Sequence, residues 1–387
     1  MPVDLPGFYW DAQRNRYFPL SSKPKMPSVT QPIIPKSDHP AKSLKRKRKN
    51  SFWNITETSR ATCFTHKRYQ ATHEILCSHY ATTSSVTETK VPTFGHIKSF
   101  CSTVLNGEVR RFIGDNRGWL YNSTPLSSGH NLWAADINLR PESEISSICI
   151  SGARCIATCF GPSPKVSVQD LNVTGRTFLL SLTGVHDIWN AHLQDNALVL
   201  GANKKAVFLS DIDISNPPIQ TLDTHSDVFA VYQKDNMIYT GCRNGSILRF
   251  DKRTGKLGVK LYDDRFEGKA RSSVLHLDTI ADSQLLVSHM NGDLLTFDLR
   301  FPQQSTPIMQ YYGHVNSHTQ KLGIALDPDQ EFIFAAGEDK RIRGWSVRSG
   351  LPLLPPSSGV EADDRRNPFL FQFPNTVETL QFHLGQR

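Results

Sequence analysis

From about Val91 onward the chain is written in short apolar runs, each broken by Gly, Asn or Asp. The runs "GWLYN", "VSVQD", "VFLSD", "LRFD", "LTFD" and "RGWS" end at Asn122, Asp170, Asp211, Asp251, Asp298 and Ser346. Polar, turn-forming clusters stand ahead of these runs, among them "GDNRG", "GANKK", "GCRNG", "HMNG" and "GEDKR". Apolar runs of that length between such clusters read as β-strands joined by tight hairpins. The first ninety residues have a different texture. There "FYW" and "RYF" flank the polar "DAQRN", which predicts a small hairpin or a pair of anchoring strands. Phe52, Phe64, Ala71, Ile75, Leu76 and Tyr80 recur at loosely helical spacing, which predicts one or two short helices within 51–80.

The strand ends are separated by 48, 41, 40, 47 and 48 residues. A repeat near 40–50 residues, each unit holding several short strands, is the signature of a β-propeller, an all-β ring of sheets. Six such ends leave the residues after Pro356 for a seventh blade, and there "TVETLQFHLGQR" reads as a first strand only. The expectation is therefore seven blades with an incomplete last one, closed by a strand that the N-terminal segment donates, since an open ring leaves an unpaired sheet edge. The expected domains are an aromatic motif at 1–20, a disordered Pro/Ser-rich linker with a basic run at 21–50, a short helical arm at 51–90 and the propeller at 91–387.

Charge refines this division. The first fifty residues hold eleven Lys or Arg against three Asp, so they account for the whole net charge of +8. The rest of the chain is balanced, which argues against nucleic acid as a partner of the propeller, because counterion release needs clustered cations on the docking face. The run Lys45, Arg46, Lys47, Arg48, Lys49 fits a nuclear import signal and predicts a nuclear location, with the cytoplasm second. No run reaches the ~18 apolar residues of a membrane span. Seven cysteines without a secretory leader predict reduced thiols in an intracellular protein.

The segment from Tyr312 to Val347 places Gly313-His314, Asp339 and Trp345 where WD repeats put their Gly-His, their turn aspartate and their third-strand tryptophan. The resemblance implies that His314 and Asp339 tie the incoming loop to the turn before the third strand. Ala335 and Ala336 stand where a hydroxyl is usual, so that network should be incomplete.

"ILRFDKR" and "LLTFDLR" both carry aromatic-Asp-x-Arg, with Asp298 47 residues after Asp251. In a propeller, Arg253 and Arg300 should emerge on one rim from neighbouring blades, and a pair of guanidinium forks makes a docking site. Tandem boxes of this kind resemble those of the WD-repeat substrate receptors of cullin-4 RING ubiquitin ligases. "LPGFYWDAQRNRYF" at 5–18, "SDVFAVY" with "YTGCRNG" at 226–245 and "GHVNSH" at 313–318 narrow the resemblance to one cullin-4-associated factor within that class. It implies a non-catalytic receptor without cofactors. Phe250, Asp251, Arg253, Phe297, Asp298 and Arg300 would face the large damaged-DNA-binding adaptor, the segment 51–80 would insert into it, and another rim would hold an unknown protein substrate. Phe250 and Phe297 replace the usual Trp, and Ser346 lacks the Asp, so the box does not extend to that blade.

The alternative function is a scaffold of a nuclear ribonucleoprotein or chromatin complex. Catalysis is the weakest reading, because His186-Asp187 and His276-Leu277-Asp278 form no known nucleophile or metal motif. Cys63, His66, His73 and Cys77 have a zinc-like spacing, for which a helical arm with no metal role is the preferred account.

Overall fold

The computed structural model describes residues 8–11, 16–19, 65–125, 131–173, 175–214, 217–254, 257–262, 272–354 and 367–382. Contacts divide the chain into two units, 1–61 and 62–387. In the first, Phe8–Asp11 pairs antiparallel with Arg16–Pro19, with Phe8 opposite Pro19 and Asp11 opposite Arg16. The basic run 45–49 lies outside the described residues, as do Cys63 and Phe52.

Among the described residues the second unit holds six antiparallel sheets in chain order: 97–138, 145–181, 190–223, 228–261, 274–310 and 324–346. We number these blades 1 to 6. The first five have four strands and the sixth has three. Alternation along each second strand explains the ring. In blade 2, Cys155 and Ala157 pack toward blade 1 while Ile156 packs toward blade 3. In blade 3, Leu198 and Leu200 face blade 2, and Val199 faces blade 4. Leu285 and Val287 of blade 5 face blade 4, and Leu286 faces blade 6. Successive side chains of a strand point to opposite faces, so a run buried on both sides glues one sheet to two neighbours.

The seven-blade expectation is overturned, because six sheets form and residues 367–382 hold no strand. Among the described residues this last segment has no second strand to pair with, and it closes the ring through single contacts instead. Gly323 N donates to Val377 O at 2.9 Å on the blade 6 side. On the blade 1 side Ser102 N donates to Gln381 Oε1 at 2.6 Å, and Lys98 Nζ pairs with Glu378 at 2.7 Å.

Of the one or two short helices expected, one, Thr65–Thr83, is present among the described residues. It lies where a further sheet would have packed. In the second strand of blade 6, Phe332–Ala336, Ile333 and Ala335 face blade 5. Phe332 and Phe334 face the other way, against Cys77 and Tyr80 of the helix and Phe369, Leu380 and Phe382 of the closing segment. The apolar face of the last sheet is thus covered by a helix and a loop.

Candidate functional site

Blades 4 and 5 end their third strands alike. Alternation turns Phe250 (1% exposed) and Phe297 (7% exposed) into the core, where they hold the strand and do not reach the rim. Gly258 lies so close to Phe250 that a Cβ there would sit 2.6 Å from the ring, and Tyr262 stacks on Phe297 with centroids 4.5 Å apart. The next residue, Asp251 or Asp298, points outward. Asp251 Oδ1 accepts Arg253 N at 2.9 Å and Nε at 3.0 Å, while Oδ2 accepts Nη2 at 2.8 Å. Asp298 Oδ1 accepts Arg300 N and Nε at 2.9 Å, and Oδ2 accepts Nη2 at 2.6 Å. Each carboxylate therefore shapes the turn and fixes one edge of a guanidinium. Among the described residues the Nη1 side of the fork has no partner, and the arginine side chains are 66% and 69% exposed. The Arg253 side chain and then its backbone N–H hold Asp251 down to about 2, and Arg300 likewise lowers Asp298.

The two arginines lie on the same rim. The residue after each aspartate donates to the turn between the first and second strands of its own blade: Lys252 N to Asn236 O and Leu299 N to Ser283 O, both at 2.8 Å. Leu171 to Ala153, Ile212 to Asn196 and Val347 to Glu331 repeat this tie in blades 2, 3 and 6.

The turn itself is more widespread than the aromatic-Asp-x-Arg box. Asp170 accepts Asn172 N at 3.0 Å, and Asp211 accepts Asp213 N at 3.0 Å. In these blades the arginine comes from elsewhere: Arg154 binds Asp170 at 2.6 Å and grips Asp213 through Nε and Nη2, so its side chain is only 20% exposed. A repeated Asp at the strand end was the visible signal for all four turns. Which turn presents a free fork was not visible, because Arg154 is distant in sequence from Asp213.

In blade 6 Ser346 replaces the aspartate, and its Oγ accepts Ser349 N at 3.2 Å and bonds His73 Nε2 at 2.6 Å. The His73 ring lies parallel to Phe332, with centroids 5.7 Å apart. The helix is thus pinned at the rim that carries Arg253 and Arg300. His73 and Cys77 face this packing, and among the described residues no group of His, Cys, Asp or Glu could hold a metal ion.

His314 ties the incoming loop to the end of the second strand, while Asp339 takes another partner. His314 bonds Gly292 O at 3.2 Å through Nδ1 and Ala336 O at 3.1 Å through Nε2. Asp339 instead binds Arg343 through both oxygens, at 2.9 and 2.6 Å. Arg343 is the nearer and charged partner, which leaves the imidazole to satisfy two backbone carbonyls. Trp345 is fully buried and donates its indole N–H to Tyr312 O at 2.9 Å.

A six-sheet ring with these ties is a WD40-type β-propeller, and residues 305–346 match the family described as WD domain, G-beta repeat. Two solved structures share the fold. The WD40 β-propeller domain of Doa1 has a TM-score of 0.55 at 16% identity, over 71% of this chain and 88% of that one. The Cps50 (Swd1) β-propeller domain of Myceliophteria thermophila has a TM-score of 0.54 at 14% identity, over 69% and 89%. Among curated proteins, WD repeat-containing protein 21 of Schizosaccharomyces pombe is 33% identical over 137 residues, which is 34% of this chain and 32% of that protein. An uncharacterized WD repeat-containing protein of Caenorhabditis elegans is 27% identical over 143 residues, 37% of this chain and 24% of that one. The chain thus spans about a third and a quarter of the two curated relatives that it matches. Its fold is that of a WD40-type β-propeller, and residues 305–346 carry the match to the WD repeat.

Proposed function

We propose that this protein is a non-catalytic substrate receptor of a cullin-4 RING ubiquitin ligase, docking the large damaged-DNA-binding adaptor through Arg253 and Arg300. The observation that carries the reading is the pair of identical Asp–Arg turns on adjacent blades. Each pre-orders a guanidinium, so little side-chain freedom is lost when a partner's carboxylate or carbonyl meets its open edge. The helix anchored by His73 at the same rim adds a second element that a single partner can reach. The likeness to WD repeat-containing protein 21 of S. pombe is consistent with this reading. The receptor supplies no chemistry of its own and works by holding acceptor lysines near the ligase's charged conjugating enzyme. The basic run 45–49 would bring it to the nucleus.

Copurification of the adaptor and cullin-4 with an Arg253→Ala, Arg300→Ala double variant tests the proposal. Loss of both, with the propeller still folded, is expected, since each charge-assisted fork is worth about 1.5–3 kcal/mol. Lysine at both positions should not restore binding, because an ammonium cannot reproduce the fork. Unchanged adaptor recovery would overturn it in favour of a nuclear scaffold.

A further inference from the structure

On the face away from Arg253 and Arg300, the beginnings of the innermost strands enclose a cavity of about 330 Å³. Ser146, Trp189, Phe229 and His276, near the starts of the first strands of blades 2 to 5, form much of its wall. The Asp-x-Arg turns lie beside the opposite ends of those strands. Lys321 enters the cavity from the connection leading into blade 6. Its Nζ donates to Ser146 O at 2.6 Å, and no carboxylate comes within ion-pair distance among the described residues. Burial pushes its pKa down to about 8, outweighing the attraction of Glu144 and Glu378.

Two firm donors in this wall have bonding capacity to spare. The ammonium of Lys321 has more N–H groups than its single bond uses. Trp189 Nε1 is buried without a partner among the described residues, and so is His276 Nε2, which donates in one neutral tautomer and accepts in the other. Against these stand Ser99 Oγ and Glu378 Oε2. Glu378 is already neutralised by Lys98 at 2.7 Å. A buried donor left unmet costs about 1–3 kcal/mol, so the Lys321 ammonium favours a guest that brings an acceptor.

We infer that this cavity receives a peptide carboxylate, held by the Lys321 ammonium with the Trp189 ring beside it. A single negative charge suits it better than a phosphate, whose second charge would face Glu144. The volume fits one side chain or chain end, and Phe229 offers apolar contact to the neighbouring residue. That the guest belongs to a ubiquitination substrate rests on the receptor reading above, but the binding itself does not.

The test uses three fluorescein-labelled hexapeptides of Gly and Ser on the full chain, read by fluorescence polarisation. One ends in a free carboxylate, one in an amide, and one in an amide with a central Asp. Binding of the first alone assigns the chain terminus, and binding of the third as well assigns the acidic side chain. The uncharged amide is expected to bind at least ~10-fold more weakly, which corresponds to about 1.4 kcal/mol. Lys321→Met should weaken the carboxylate probe ~10-fold or more, whereas Glu144→Gln, by removing a like charge, should strengthen it severalfold. A packing role alone would not give opposite signs.

Should Lys321→Met fail to fold, wild-type affinity is compared at pH 7 and pH 9.5. Glu144, Glu378, Lys98, His276 and Cys149 are the other titratable groups around the cavity. Burial lowers the pKa of His276 and raises that of the Cys149 thiol, so neither gains charge readily in that range. A fall in affinity then reports Lys321. Equal affinity for amide and carboxylate, or equal affinity at both pH values, would overturn the inference. The Arg253→Ala, Arg300→Ala variant should retain probe binding, so failure of adaptor docking leaves this result standing.

Discussion

At the scale of single residues, the Asp–Arg turns owe their role to a local competition that titration can expose. Asp251 folds with its pKa depressed to about 2. Its contribution is therefore fully present above the unfolded carboxylate value near ~3.9 and is lost as pH falls toward 2. Adaptor docking should accordingly be flat between pH 5 and 8, which copurification at those two values checks. Lys321 works in the other direction. Unfolded lysine holds its proton up to about 10.4, while the folded group releases it near about 8, so between these values the unfolded chain binds more protons and stability rises with pH. Burial raises the thiols of Cys101, Cys149, Cys155 and Cys242, which slope the other way, so the Lys321 contribution is read as the wild-type minus Lys321→Met difference from urea midpoints at pH 8 and 10, which should grow by up to about 1.4 kcal/mol for each pH unit. Lys204 is exposed and holds a left-handed backbone with φ of 59°. Lys204→Gly should raise stability by up to about 1 kcal/mol, the relief of the Cβ clash exceeding glycine's larger entropy of unfolding.

At the scale of elements, the helix is the part whose place the sequence left open. Its spacing of Ala71, Ile75, Leu76 and Tyr80 suggested a helix, and residues 65–83 form one. Yet Ile75 and Leu76 are exposed, while Cys77 and Tyr80 carry the packing together with His73. A weak apolar periodicity does not say which sheet will accept the helix. That choice belongs to Phe332 and Phe334, whose face no further sheet covers. Phe332→Ala should cost about 3–5 kcal/mol. It should also raise hydrogen exchange across 65–83 more than across blade 3, whereas equal loss of protection in both would mean the helix adds nothing separable. The Asp-x-Arg element was legible for the opposite reason. Its turn is closed within three residues, so sequence neighbours suffice to build it. Where the turn recruits Arg154 from another strand, the same Asp pattern gives a closed ion pair with little exposed charge.

At the scale of the whole molecule, closure rests on few groups. Gln381 accepts Ser102 N and returns a bond to Ser102 O at 2.9 Å, while a Cβ on Gly323 would lie 2.6 Å from the backbone of Thr379. Gly323→Val should therefore lower Tm by several degrees and expose the blade 1 edge to proteolysis, and an unchanged Tm would show that closure carries little stability. The spacing of strand ends, the two-sided apolar strands and the two free-standing Asp-x-Arg boxes were all determined by the sequence alone, because each is set by residues near one another in the chain. The number of sheets, the partner of His314, the cover over Phe332 and the cavity around Lys321 were decided only by the tertiary structure. Each of these depends on which distant groups first satisfy a buried face or a buried charge. Local pattern fixes the strand and its turn, and long-range packing selects the contact that completes them.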